Sequence, residues 1–142
     1  ILYLSGHIVR HKDEYYSLLN AVTRSDEWES WILFMLTGIE STARWTLALV
    51  KATNDLRGTV EHDIRQFWPK LPAGELTRLL FTQPYLQMEN VVDTGLAQRQ
   101  TASKWLNELA TTGLIAKEKI GRNVVYINQK LLNELFTTPL PE

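Results

Sequence analysis

A chain of 142 residues, 44% apolar and 22% charged, suffices for one domain or two small ones and has the balance of an ordinary globular protein. Its formal charge of −1 gives no whole-molecule field towards nucleic acid or an anionic membrane, and the lack of cysteine removes disulfides and thiolate metal sites. No run approaches the ~18 uninterrupted apolar residues of a membrane span and no signal-peptide pattern opens the chain, so a cytoplasmic protein is the expectation.

The first half is written in helical spacing. Ser5 offers an N-cap, and Ile8, Tyr15, Leu18, Leu19 and Val22 recur at separations near three, four and seven. Thr23-Arg24-Ser25-Asp26 breaks the run and supplies new caps. Trp28, Trp31, Ile32, Met35, Leu36, Ile39 and Ala43 then trace the expected inner stripe of a second helix. Helical propensity continues to about Leu56, and Gly58 with the β-branched Thr59 and Val60 predicts a kink or break. Unbroken as far as Gln66, this helix would be roughly 58 Å long at about 1.5 Å per residue, so its stripe is expected to pack on more than its neighbour. Residues 67–74 hold two prolines and a glycine and read as a linker. Before it the chain carries 7 basic and 9 acidic side chains, hence −2, and from residue 67 onwards 8 and 7, hence +1.

After the linker the pattern shortens. Residues 75–81 predict a helix stopped by Pro84, and 88–92 a second one closed by Asp93-Thr94-Gly95. Residues 98–111 predict a third with Ala102, Trp105, Leu106 and Leu109 inward, ended by Gly113. Residues 114–120 and 124–128 are β-like around Gly121-Arg122-Asn123, a hairpin turn; a short helix over 128–136 and a frayed tail follow. The fold class expected is mainly α with a small β-hairpin: a helical arm over 1–66, a linker over 67–74 and a winged helix-turn-helix over 75–142. On its third helix Gln98, Arg99, Gln100, Thr101, Ser103, Lys104 and Asn107 should face outward, side chains suited to base edges or phosphates. The hairpin adds Lys117, Lys119 and Arg122, so that residues 98–123 carry 5 basic and 2 acidic groups, a local +3. Residues 107–115, NELATTGLI, resemble the stretch joining recognition helix to wing in bacterial MarR-like regulators. Winged helices also dock proteins, so DNA contact and protein docking both stay open.

The order of elements in the first half resembles another family. Leu2-Tyr3-Leu4-Ser5, the run from His11 to Tyr16, Leu18-Leu19, Trp28, Trp31-Ile32 and Gly38-Ile39 are similar to the helical segment just downstream of the catalytic loop in Fic-family proteins. That resemblance covers residues 2–66, and it implies a parent that transfers AMP from ATP, with a divalent metal, onto protein hydroxyls. The family's signature HPFxxGNGR supplies a general-base His and a Gly/Asn-rich turn for phosphates. This chain has no His-Pro pair and no such turn, and it also lacks the family's inhibitory motif, Ser/Thr-x-x-x-Glu followed by Gly or Asn. No catalytic residue is therefore carried over. Since the chain opens at Ile1 without an initiator Met, the resemblance implies a non-catalytic rear portion whose first partner is an upstream Fic catalytic core. The alternative is a stand-alone DNA-binding regulator with a helical dimerisation arm, a homodimer placing two recognition helices about one DNA turn apart. A protein-interaction module is the third.

Other signals have plainer readings. His7 and His11, four apart, would share a helix face as a metal pair does, but no third ligand stands at a useful spacing, and a surface pair is expected. Of Tyr15-Tyr16, one should pack and one be solvated. The tryptophans Trp28, Trp31 and Trp105 read as core. Asp93 and Thr94 read as turn caps, and the serines lack a Gly-x-Ser-x-Gly elbow. No cofactor or metal site is expected within the chain.

Overall fold

The protein, described by a computed structural model over residues 4–137, is mainly helical with one small antiparallel sheet. Its contacts define two compact units, residues 4–50 and 51–137 of those described.

The first unit holds α1 (Leu4–Arg10), α2 (Lys12–Ser25) and the portion of α3 (Trp28–Phe67) up to Val50. Of the residues that carry the family resemblance, Leu2 and Tyr3 lie outside the described residues. Ser5 sits inside α1 rather than capping it, and the single helix expected from residue 5 is two. His11 leaves helical geometry at φ −111° and ψ 37°, and its Nδ1–H donates to the His7 carbonyl at 3.0 Å. Asp26 ends α2 with a left-handed φ of 59°, a conformation aspartate tolerates better than most residues. Its N–H returns to the Ala21 and Val22 carbonyls, and its carboxylate accepts the Trp28 indole N–H at 2.6 Å. One residue thus closes α2 with its backbone and meets the start of α3 with its side chain.

Phe34 is the centre of this unit, with the rings of His7, Tyr15 and His11 at centroid distances of 5.1, 6.2 and 6.3 Å. His7 is buried rather than on the surface, at 4% exposure, with both ring nitrogens unpartnered. A Cβ at Gly38 would overlap that imidazole, so glycine is what lets α1 approach α3. The inner stripe of α3 is therefore Phe34, Gly38 and Thr42, with Trp31 and Met35 half-buried beside it. The rest of the expected stripe faces out: Trp28, Ile32, Leu36 and Ile39 are 39–55% exposed and Ala43 is exposed too. The reason is that this helix is apolar on two faces. The packed one is chosen by what α1 and α2 present, a ring cluster that accommodates small and polar partners.

In the second unit α3 runs unbroken through Gly58, where a kink or break is expected from the sequence. An exposed mid-helix glycine costs about 1 kcal/mol against alanine. Burial of Val60 and Ile64, at 2% and 0% exposure, outweighs it at about 1.5–3 kcal/mol for each side chain. These two residues belong to the core of this unit, which is why its boundary falls at Lys51, ahead of residues 67–74. That Pro/Gly-rich stretch is instead a turn, closed by the Leu71 N–H on the Trp68 carbonyl at 2.9 Å.

There follow α4 (Ala73–Thr82), β1 (Tyr85–Leu86), α5 (Met88–Asp93), α6 (Arg99–Thr111), β2 (Ala116–Ile120), β3 (Asn123–Ile127) and α7 (Gln129–Thr137). All but β1 fall within two residues of their expected bounds; the tail expected at the end lies almost wholly outside the described residues. The two-residue β1 has no sequence signal of its own and exists because it pairs antiparallel with β3, in a sheet ordered β1-β3-β2. The hairpin pairs Ile120 with Asn123 across a two-residue loop, and Gly121 takes the positive φ (62°) that such a loop requires at its first position. Leu71, Ala73, Leu76, Leu80, Leu86, Val91, Ala102, Leu106, Leu109, Leu114, Ile115 and Tyr126 share that core. Asn128, 2% exposed, uses both ends of its amide: Nδ2–H donates to the Leu80 carbonyl at 3.1 Å and Oδ1 accepts the Leu131 N–H, capping α7.

Two outcomes are expected for the first unit. Gly38→Ala should destabilise it by about 1–3 kcal/mol, the usual cost of an overpacked contact. Amides of α1 and α2 would then exchange faster with deuterated solvent while those around Leu106 keep their protection. Burial, then the neighbouring His11 and Arg10, hold the His7 pKa below its ordinary 6.5, against a smaller opposing pull from Glu14. Below pH 6.5 the unfolded chain takes up a proton that the folded one resists, so protection in α1 should fall as pH drops through that value and be flat above it. In His7→Met that slope should be smaller.

Candidate nucleic-acid interface

The basic residues singled out by sequence lie on α6 and the hairpin that follows it, both within the second unit. Ala102, Leu106 and Leu109, all at 0% exposure, fix the rotation of α6 by turning one face into the core. Trp105 is half-buried and packs against the same core, as expected. Gln98, Arg99, Gln100, Thr101 and Lys104 are exposed, as are Lys117 and Lys119 on β2 and Arg122 in the loop. The first turn of α6 has no side-chain cap from Gln98.

The outward set on α6 divides in two. Residues 99, 103 and 107 follow one another at steps of four and share a stripe turned towards the hairpin. Gln100, Thr101 and Lys104 point elsewhere on the exposed surface. Ser103 and Asn107 are half-buried, and Asn107 is not free to read a base edge. Its Oδ1 accepts from the Lys117 ammonium at 2.8 Å and from the Tyr126 hydroxyl at 3.2 Å, while its Nδ2–H donates to Ser103 Oγ at 3.3 Å. Since an ammonium only donates, the amide orientation is fixed. Asn107 is thus a clasp between α6 and the hairpin, which corrects its expected role as an outward reader.

Lys117 and Tyr126 are direct partners across the β2–β3 ladder, so strand register delivers both to the clasp. Burial raises the Tyr126 pKa above its ordinary value of 10. Tyr126 escapes sequence reading as a site residue, although its place opposite Lys117 follows once the hairpin is counted out from Gly121. Two cations are engaged with acids: Arg99 with Glu89 at 3.3 Å and Lys104 with Glu108 at 3.9 Å. Both pairs are solvent-exposed, where such contacts are worth about 0–1 kcal/mol, so a stronger anion can displace either carboxylate. Lys119 and Arg122 make no ion pair among the described residues.

Among the described residues no group of three His, Asp or Glu side chains could hold a metal ion, and no helix is long and apolar enough to cross a membrane. Residues 56–131, more than half of the chain, match the family model described as "Protein adenylyltransferase SoFic-like, C-terminal domain". The match covers the second unit from late α3 to the start of α7 and overlaps the 2–66 resemblance only at 56–66.

Replacing Tyr126 by Phe should leave the core packing intact and remove one donor from Asn107. The expected loss is about 1 kcal/mol, the net worth of an ordinary hydrogen bond, read as a lower urea midpoint with an unchanged slope.

Proposed function

Because the chain belongs to the SoFic-like adenylyltransferase C-terminal domain family, we propose that it is the non-catalytic rear part of a Fic-type protein and that its second unit docks on duplex DNA. In this reading α4, α5, α6 and the β2–β3 hairpin are a winged helix-turn-helix, with α6 as the groove helix and the hairpin as wing. The observation that carries it is the gathering of Arg99, Lys104, Lys117, Lys119 and Arg122 on one helix and its adjoining hairpin, in a chain whose net charge is −1. Gln98, Gln100 and Thr101 add exposed groups able to meet base edges or phosphates.

The parent would carry AMP from ATP to protein hydroxyls, with a divalent metal, on residues this chain does not contain. The exposed stripe on the first unit fits that division. Ile32, Leu36, Ile39, Ala43 and Val50 recur at the four-and-three spacing of a helix seam, and exposed apolar rows of this kind mark a missing neighbour. The family name puts its domain at the C-terminal end of adenylyltransferases, so the catalytic core is the occupant proposed. A second copy of the chain is the rival that solution mass would reveal.

Titrating the protein with a random-sequence duplex tests the DNA reading. Three or four phosphate contacts should give a salt slope of about −3 to −4 in log K against log salt. Lys104→Ala should weaken binding about equally for every sequence and lower that slope by about 1. Absence of binding at low salt removes the reading and leaves protein docking in its place.

A further inference from the structure

The cationic face is not flat. Between the start of α6 and the hairpin tip lies a pocket of about 280 Å³, and basic side chains reach it from three separate places: Arg99 in the first turn of α6, Lys117 on β2 and Arg122 in the loop. Glu89 is the one carboxylate among its lining residues, and it touches Arg99 only at the surface. With three cations against one acid, the lining carries an excess of two positive charges in a concave setting, where the field is focused.

The hydrogen-bond inventory shows what the pocket has left to give. Lys117 spends one of its three N–H groups on Asn107 Oδ1, so two remain. Ser103 Oγ receives the Asn107 amide, which leaves its own O–H free to donate. Arg122, in the loop, contributes five N–H groups of which the described residues use none in an ion pair. Donors therefore converge from several directions, and the Glu89 carboxylate already accepts from Arg99. A planar carboxylate would satisfy one guanidinium fork; donors on three walls suit a tetrahedral anion with oxygens on all sides. At about 30 Å³ per water the volume corresponds to roughly nine waters, enough for a phosphoryl group together with part of the ester it belongs to.

We infer that this pocket is a site for one phosphate group, and that Asn107, which touches no ligand itself, is its positioning residue. Resting on the DNA reading above, the site would take a single backbone phosphate at the junction of groove helix and wing and so set the register of the module on the duplex. Asn107 holds the Lys117 ammonium at the pocket wall and keeps Ser103 turned to donate. Without it, Lys117 becomes a freely rotating surface lysine, with its charge kept and its position lost.

The test is a set of amide chemical-shift titrations on the full 142-residue chain, with sodium phosphate and separately with a random-sequence duplex, sodium chloride serving as the ionic-strength control. Phosphate should give saturable shifts at Arg99, Ser103, Lys117 and Arg122 that chloride does not reproduce, and the duplex should shift the same amides. Arg122→Gln, in an exposed loop, should weaken both ligands about tenfold and lower the duplex salt slope by about 1. Asn107→Ala should weaken both about three- to tenfold with the slope unchanged, since no charge is removed, a split that general loss of folding would not produce. Duplex binding that leaves these amides unmoved and ignores Arg122→Gln overturns the pocket while the DNA reading stands. Saturable phosphate binding without duplex binding upholds the pocket and removes the DNA reading. Scattered, non-saturating shifts with phosphate overturn the pocket whatever the duplex does.

Discussion

In the second unit the placement of the hairpin against its neighbours rests on the buried amide of Asn128. This residue stands between β3 and α7, and its backbone N–H reaches the Pro84 carbonyl at 2.8 Å while its side chain reaches Leu80 and Leu131. The end of α4, the approach to β1 and the start of α7 are thereby tied to one point. Leaving such an amide's partners unpaired in the interior costs about 1–3 kcal/mol, a sizeable share of a small unit's stability. With β3 anchored there, its register against β1 and β2 follows. That register sets Lys117 opposite Tyr126, within reach of Asn107 on α6. The gap between α6 and the hairpin, and so the pocket, is the last consequence of a contact made at the opposite end of β3.

The first unit is built on a different principle. Its centre is one phenylalanine among two histidines and a tyrosine, with a glycine and a threonine following the phenylalanine along the same face of α3. Few apolar side chains are buried in it, while Trp28, Ile32, Leu33, Leu36, Leu47 and Val50 all remain substantially exposed. An apolar surface left in water forgoes about 25 cal/mol for each Å² that could have been covered. Such a unit gains more from covering its outer stripe than from any change to its interior.

Much of the second unit is legible in sequence because local rules decide it. Pro84, Gly95, Gly113 and Gly121 punctuate the chain, and between them the apolar spacing of Leu76, Leu80, Ala102, Leu106 and Leu109 leaves one core face for each helix. The departures arise where a partner distant along the chain decides. The two residues of β1 cannot announce a strand, since their pairing is with residues 126 and 127. Asn107 reads as a surface amide, yet its partners are 10 and 19 residues away. On α3 periodicity reveals apolar faces without saying which one the chain's own helices cover, and burial at Val60 and Ile64 overrides the helix-breaking signal of Gly58. The Fic-like resemblance is carried by residues 2–66 and the family match by 56–131, so two largely separate stretches lead to one family.

The weakness of the proposed DNA contact is consistent with a tethered role. Free in solution, a module holding three or four phosphates has little to set against the entropy of association, and its affinity falls steeply with salt. Joined to a larger protein, the same contacts act at an effective concentration fixed by the connection, which reaches millimolar values for short links. A pocket that orients one phosphate is then worth more than additional surface lysines. Orientation survives added salt better than long-range attraction, and in the proposed parent it would determine where an attached catalytic part comes to lie. On this view the clasp of Asn107 serves geometry rather than strength, and a modest local charge is no handicap to the module.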